Sequence, residues 1–234
     1  MGEELKDKPI FITGTARSGI SVIGGILHLC GAWGGEFVAK DKHSSRGIFE
    51  NAEIRESIVR PFLKGIKADS LGQSPLPNIT VCRELANKIC DSWHRRVERV
   101  LRGQGYNGGL WFFASSLSCL VWPLWAKAFP DAQWIIVRRK DEDIVQSCMK
   151  TGFMRAHKKE EDWQEWINVH KERFKEMIGA GLNVWQIWPQ EIIRGKLGGL
   201  HDMVDELGLQ WDKMRIADFI APILWKKGVF KVSE

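Results

Sequence analysis

Residues 8–21 read KPIFITGTARSGIS, and the fold turns on how they are parsed. Lys8 to Thr13 is a short apolar run that ends at a glycine, the pattern of a buried strand. From Ser18 to Cys30 the apolar residues suit a helix, and Gly31 closes it. The loop between them, GTARSGIS at 14–21, fits G-x-x-x-x-G-Ile-Ser. This is one residue away from the phosphate-cradling template G-x-x-x-x-G-Lys-Ser/Thr, which also requires a strand before it and a helix after it. Ile20 stands at the lysine, and Arg17 lies three residues earlier.

Outward from the loop, residues 31–48 form a glycine-rich, charged connection expected to return across the carboxyl edge of the sheet. A helix is expected over about 50–67, followed by a loop containing SPLPN. Cys82, Leu85, Ile89, Trp93, Val97 and Val100 recur at three- and four-residue steps, which predicts a long amphipathic helix. Leu110–Phe113 and Trp134–Val137 read as buried strands. The stretch between them is mostly helical, with Pro123 awkward in a helix interior. RRKDEDIVQSCMK then gives a turn and a helix with acidic residues in its first turn, where the helix dipole favours them. Trp163, Trp166, Ile167, His170, Phe174, Met177 and Ile178 mark one face of a further helix. Asn183–Trp188 is the last expected strand, and two or three short helices finish the chain. Alternating strands and helices predict a single α/β domain over 1–234. It is doubly wound on a mostly parallel sheet of about four to five strands, like P-loop NTPases.

With 234 residues, 44% hydrophobic and 27% charged, the chain has an ordinary globular composition. The formal charge of +5 suits an anionic ligand, but the cations are dispersed, and no basic run with interleaved aromatics marks a nucleic-acid groove. No stretch approaches a membrane span, and the opening MGEELKDKPIFITG has no signal-peptide core. Five cysteines without metal-type spacing read as reduced, packed thiols, so a cytoplasmic protein is expected.

A glycine loop and a helix N-terminus cradle anions with backbone N–H groups alone, so that function survives the loss of lysine. Arg17 adds a permanently charged planar fork, and Ser18 and Ser21 add hydroxyl donors. Without the lysine that reaches the β- and γ-phosphates, a phosphosulfate suits the loop better than ATP. TARSGIS after an apolar strand resembles the 5′-phosphosulfate loop of sulfotransferases, with Gly14, Arg17, Ser18, Gly19 and Ser21 in register and Ile20 where a threonine is common. The family's second motif is a strand, an arginine and a serine eight residues on, which holds a 3′-phosphate. In WIIVRRKDEDIVQS it falls on Arg139 and Ser147, with Arg138 as neighbour or substitute. CLVWPLWAKAFPDAQWIIVRR is similar to the segment preceding that site in bacterial-type and phage-type members. The resemblance covers about residues 8–40 and 108–155.

The resemblance implies transfer of a sulfuryl group from 3′-phosphoadenosine 5′-phosphosulfate (PAPS) to a hydroxyl or amine, without a metal. In-line transfer needs a cation at the bridging oxygen, a base for the acceptor proton, and positioning. Arg17 is the expected cation. Glu36, in GAWGGEF, is the expected base by its likeness to a G-x-x-x-G-E stretch in bacterial carbohydrate sulfotransferases. His43 is the runner-up and Glu50 the third candidate. Relatives often carry a lysine and an acid where Ala114, Ser115 and Ser116 follow the WFF strand here; Lys40, Lys42 and Arg46 are possible replacements.

Each residue has a plainer role beside this one. Glu36 and His43 can be solvated loop residues, and His170, on an apolar face, a packed core histidine. Arg138 and Arg139 can be strand-end charges paired with Asp141 or Glu142. An atypical small-molecule kinase or NTPase, and a non-catalytic binder of PAPS or its desulfated form, are the competing functions. Lys40, Lys42, Arg155, Lys158 and Lys159 point to a polar, glycan-like or other small-molecule acceptor.

Overall fold

A computed structural model describes residues 8–39 and 47–225. Its centre is a four-stranded, all-parallel sheet of β1 (Ile10–Gly14), β4 (Phe112–Ala114), β5 (Gln133–Val137) and β6 (Asn183–Ile187), in the order β4-β1-β5-β6. β2 (Phe37–Val38) and β3 (Ile48–Asn51) pair antiparallel as a separate two-stranded sheet. The architecture is the expected α/β class.

Strand side chains alternate between the two faces, and the sequence fills both. Phe11, Phe113, Trp134 and Ile136 enter one core, beneath α3 (Ile79–Gly103), α4 (Trp122–Ala128) and α6 (Glu160–Gly179). Ile10, Ile12, Phe112, Ala114, Ile135 and Val137 enter the other. That second core is closed by α1 (Ile20–Leu29), α7 (Pro189–Ile193), α8 (Gly198–Glu206) and α9 (Lys213–Trp225). A sheet buried on both faces is why its strands read as continuous apolar runs. Five tryptophans, at 93, 111, 125, 134 and 163, are fully buried, so most of the tryptophan excess is core material.

Three expectations change. The expected helix over 50–67 begins later, because Glu50 and Asn51 belong to β3. A π-helical stretch, Ile54–Val59, then runs into α2 (Arg60–Gly65). Pro123 is not interior: a 3₁₀ turn, Ser118–Val121, ends just before it, and Pro123 takes the first turn of α4, where a missing N–H costs nothing. The connection after α1 opens not as a free loop but with a parallel pairing of Trp33 to Trp111, just before β4 starts.

The chain leaves β1 toward β4 on one side and later returns to β5 on the other. The loops after β1 and β5 are thus neighbours that depart to opposite faces of the sheet, through α1 and through α5 (Asp141–Met149) with α6. In open α/β sheets ligands bind in the crevice at such a switch point.

Candidate functional site

The two loops at this crevice carry the two sequence motifs, and they touch. The Arg17 Nε–H donates to Ser147 Oγ at 3.0 Å, linking residues 130 positions apart. The Arg139 Nη1–H donates to the Arg17 carbonyl at 2.7 Å. Arg17 itself sits at φ 72°, a left-handed conformation costing a non-glycine residue about 1–2 kcal/mol. The bond from Arg139 helps hold it there, and strain of this kind persists where the surroundings over-determine it.

The glycines give the loop its shape. Gly19 has φ 107°, which turns the chain into α1, and a Cβ there would meet Pro189 of α7 at 3.0 Å. A Cβ on Gly14 would lie 2.6 Å from the Val137 carbonyl oxygen, so only glycine lets the loop start this close to β5. The Ser18 N–H closes a turn onto the Thr15 carbonyl at 3.0 Å. The Ser18 hydroxyl is buried and has no hydrogen-bond partner among the described residues. Ser21 lies partly exposed in the first turn of α1, and Ile20 packs on the core beneath.

Arg17 and Arg139 therefore converge with one carboxylate nearby, Asp143, whose oxygen is 3.9 Å from Arg139 Nε and also accepts from Gln190 Nε2 at 2.9 Å. Burial pushes the Arg139 pKa down; Asp143 pulls it up, and the Arg17 charge adds to the lowering. Two partly buried guanidinium groups, one of them bonded to the Ser147 hydroxyl, beside the buried Ser18 hydroxyl, form a donor set that fits an oxyanion. Arg138 turns the other way. Its guanidinium lies 5.1 Å from the Phe174 ring centroid, and burial lowers its pKa against the opposing pull of Asp141. A cavity of about 110 Å³ opens there, lined by Thr15, Arg138, Arg139, Lys171, Phe174 and Trp188. Asp141 pairs with Lys171 at 2.9 Å rather than with either strand-end arginine.

The candidate bases separate. The Glu36 N–H donates to Gln104 Oε1 at 3.0 Å, its carbonyl accepts from Ala52 N–H, and the residue is exposed. It stands opposite Ala52, two residues after Glu50, with Phe37 paired to Asn51. His43, with Lys40, Lys42 and Arg46, lies outside the described residues. His170 is a core residue, 1% exposed, and its Nδ1 is 2.8 Å from the Trp166 carbonyl oxygen.

Glu50 and Arg55, which the sequence ranked low or passed over, stand instead at the carboxyl end of β4. Their side chains are 13% and 17% exposed and pair at 3.2 Å. Ser115 lies against the Glu50 carboxylate and pulls its pKa down against the raising effect of burial. An acid and a cation therefore do meet at this strand end, brought by β3 and the π-helical stretch instead of by β4. Gln73 is the other residue without a sequence signal. Buried between loops, its Nε2 donates to the Phe153 carbonyl at 2.7 Å. Its Oε1 accepts from the N–H groups of Arg155 and Ala156 at 3.0 and 3.1 Å. It thereby fixes the segment that places the Phe153 ring 6.0 Å from the Arg17 guanidinium.

All five thiols are free, and burial pushes Cys148 up to about 11 and Cys119 up to about 12, which leaves them poor nucleophiles. Among the described residues no cluster of His, Cys, Asp and Glu is arranged to hold a metal, and no helix is long and apolar enough to cross a membrane.

No protein-family model matches the chain, and no curated protein matches it. Among solved structures it is similar to the sulfotransferase domain of the olefin synthase of Synechococcus PCC 7002. The identity is 14% over 91% of this chain and 78% of that one, with a TM-score of 0.48. It is also similar to the sulfotransferase STF1 of Mycobacterium tuberculosis H37Rv, at 12% identity over 92% of this chain and 71% of that one, with a TM-score of 0.44. Neither likeness specifies a nucleotide or an acceptor.

Proposed function

We propose that the chain is a sulfotransferase, passing the sulfuryl group of PAPS to a hydroxyl or amine of a small-molecule or glycan-like acceptor. One observation carries this: Arg17 of the first motif meets Arg139 and Ser147 of the second, around a space rich in donors. The loop amides, Arg17, Ser18 and Ser21 would hold the phosphosulfate, and Arg139 with Ser147 the 3′-phosphate. PAPS supplies an activated sulfuryl group. The protein contributes a permanently charged guanidinium where charge grows on the leaving oxygen, in a partly desolvated crevice where that charge acts strongly. The five free thiols suit a reducing, cytoplasmic setting.

The test is incubation with PAPS and, separately, with ATP and Mg²⁺, in EDTA or excess Mg²⁺, following adenosine 3′,5′-bisphosphate and ADP by anion-exchange chromatography. Bisphosphate formation that persists in EDTA, with ATP untouched, is expected. Mg²⁺-dependent loss of ATP without any bisphosphate would make the protein a kinase or NTPase with an altered loop.

A further inference from the structure

We propose that Glu50 is the general base that takes the acceptor proton, held by Arg55 beside Ser115 at the end of β4; this rests on the sulfuryl-transfer reading above. The geometry around β3 is specific. A Cβ on Gly24 of α1 would lie 3.0 Å from Phe49 Cβ and 3.3 Å from Ala114 Cβ, so glycine lets β3 close onto α1 beside the end of β4. This brings Glu50 to Ser115. Ser115 is locked to the end of β1: its N–H donates to the Ile12 carbonyl at 2.9 Å, and its carbonyl accepts from Thr13 Oγ1 at 3.0 Å. The anion loop begins at the next residue, Gly14. Ser115 Oγ accepts from the Leu117 N–H at 3.2 Å, which leaves its hydroxyl hydrogen for the carboxylate.

Glu50 is more than a partner for Arg55. Arg55 already pairs with Glu56 at 2.8 Å, and Arg60 with Glu56 at 2.7 Å, so the two guanidinium groups have a carboxylate without it. Burial raises the Glu50 pKa above the ordinary carboxylate value; Arg55 first, then Ser115, and more weakly Arg60, pull it down. A carboxylate with a raised pKa is a better proton acceptor near neutrality.

In the step itself the acceptor oxygen forms its bond to sulfur as the bond from sulfur to the 5′-phosphate oxygen breaks. The electron pair leaves on that phosphate, facing Arg17, and the acceptor proton goes to a Glu50 oxygen. No oxidant, reductant or metal enters the balance.

The experiment measures turnover of PAPS with 2-naphthol, glucosamine and water as acceptors for wild type, Glu50→Gln, Glu50→Asp and Ser115→Ala. Affinity for adenosine 3′,5′-bisphosphate is measured in parallel. Glu50→Gln is expected to lower kcat by about 100- to 1000-fold, within the range for general-base loss, and to leave bisphosphate affinity within about twofold. The unchanged affinity shows that the variant is folded, and Glu50→Asp should retain partial activity. The acidic limb of the wild-type pH–rate profile should lie above the ordinary carboxylate range. It should shift in Ser115→Ala and disappear in Glu50→Gln, with Arg55, Arg60 and Ser115 the charged and polar groups acting on Glu50. Turnover of Glu50→Gln within about threefold of wild type would overturn the assignment. So would wild-type bisphosphate binding with no transfer to any of the three acceptors. Absence of bisphosphate binding in wild type would instead overturn the nucleotide reading itself.

Discussion

Replacing Arg139 by alanine should weaken adenosine 3′,5′-bisphosphate binding by about 100-fold while barely changing the stability of the free protein. In the free protein the bond from Arg139 to the Arg17 carbonyl holds a left-handed φ of 72°, so its loss is offset by about 1–2 kcal/mol of relieved strain. The Asp143 contact of Arg139 is 3.9 Å long and partly exposed, which is worth under about 1 kcal/mol, and its charge faces that of Arg17. On binding, a charge-assisted contact to phosphate contributes about 1.5–3 kcal/mol. The lost bond to the Arg17 carbonyl also frees a backbone held at φ 72°, so Arg17 must be ordered again by the ligand. We take about 3 kcal/mol together, which is roughly two decades in Kd. Arg139→Lys should fall between, about tenfold weaker, because a single ammonium cannot serve the carbonyl and the phosphate as a planar fork does. Calorimetric titration at two salt concentrations measures this, and a smaller salt dependence is expected for Arg139→Ala. Binding by Arg139→Ala within about threefold of wild type would refute the reasoning.

Ser18→Ala should move stability and affinity in opposite directions. Removing a buried hydroxyl without a partner among the described residues should leave Tm unchanged or raised, while bisphosphate binding weakens by roughly five- to tenfold, about one neutral hydrogen bond. Gln73→Ala strips the backbone of residues 153–156 of three hydrogen bonds. It should cost about 2 kcal/mol, read as a Tm lower by roughly 4–8 °C. His170 gives an acid-sensitivity prediction. Burial lowers its pKa to about 4, against the opposing effect of its contact with the Trp166 carbonyl. The unfolded chain takes up this proton near pH 6.5, so the stabilisation is present above that pH and lost as pH falls toward 4, amounting to about 3 kcal/mol. The fall in Tm between pH 6.5 and 4 should be shallower in His170→Gln than in wild type.

The parts legible in the sequence are those whose signal is local. KPIFIT followed by a glycine loop and an apolar helix is a contiguous pattern, and so is a strand ending in two arginines with a serine eight residues on. Strand-end placement alone brings both to one crevice, and Arg17, Arg139 and Ser147 meet there. Glu50 was obscured because β3 is four residues long and pairs with the two-residue β2, too short to show a period of two against the helical pattern that follows. The Trp33–Trp111 pairing, with which the connection after α1 opens, is a long-range event with no local mark. Gln73 acts through backbone groups about 80 residues away, which no side-chain pattern announces. The two groups missing from the end of β4, an acid and a cation, arrive there as Glu50 and Arg55 from other elements, which only the packing of β3 on α1 determines.

The most direct measurement is calorimetric titration of the wild-type protein with adenosine 3′,5′-bisphosphate in EDTA, beside ATP with Mg²⁺. Saturable binding of the bisphosphate without metal, and much weaker binding of ATP, is the predicted result. Binding of ATP with Mg²⁺ alone, or of neither nucleotide, would contradict the assignment of the Arg17 loop to a phosphosulfate nucleotide.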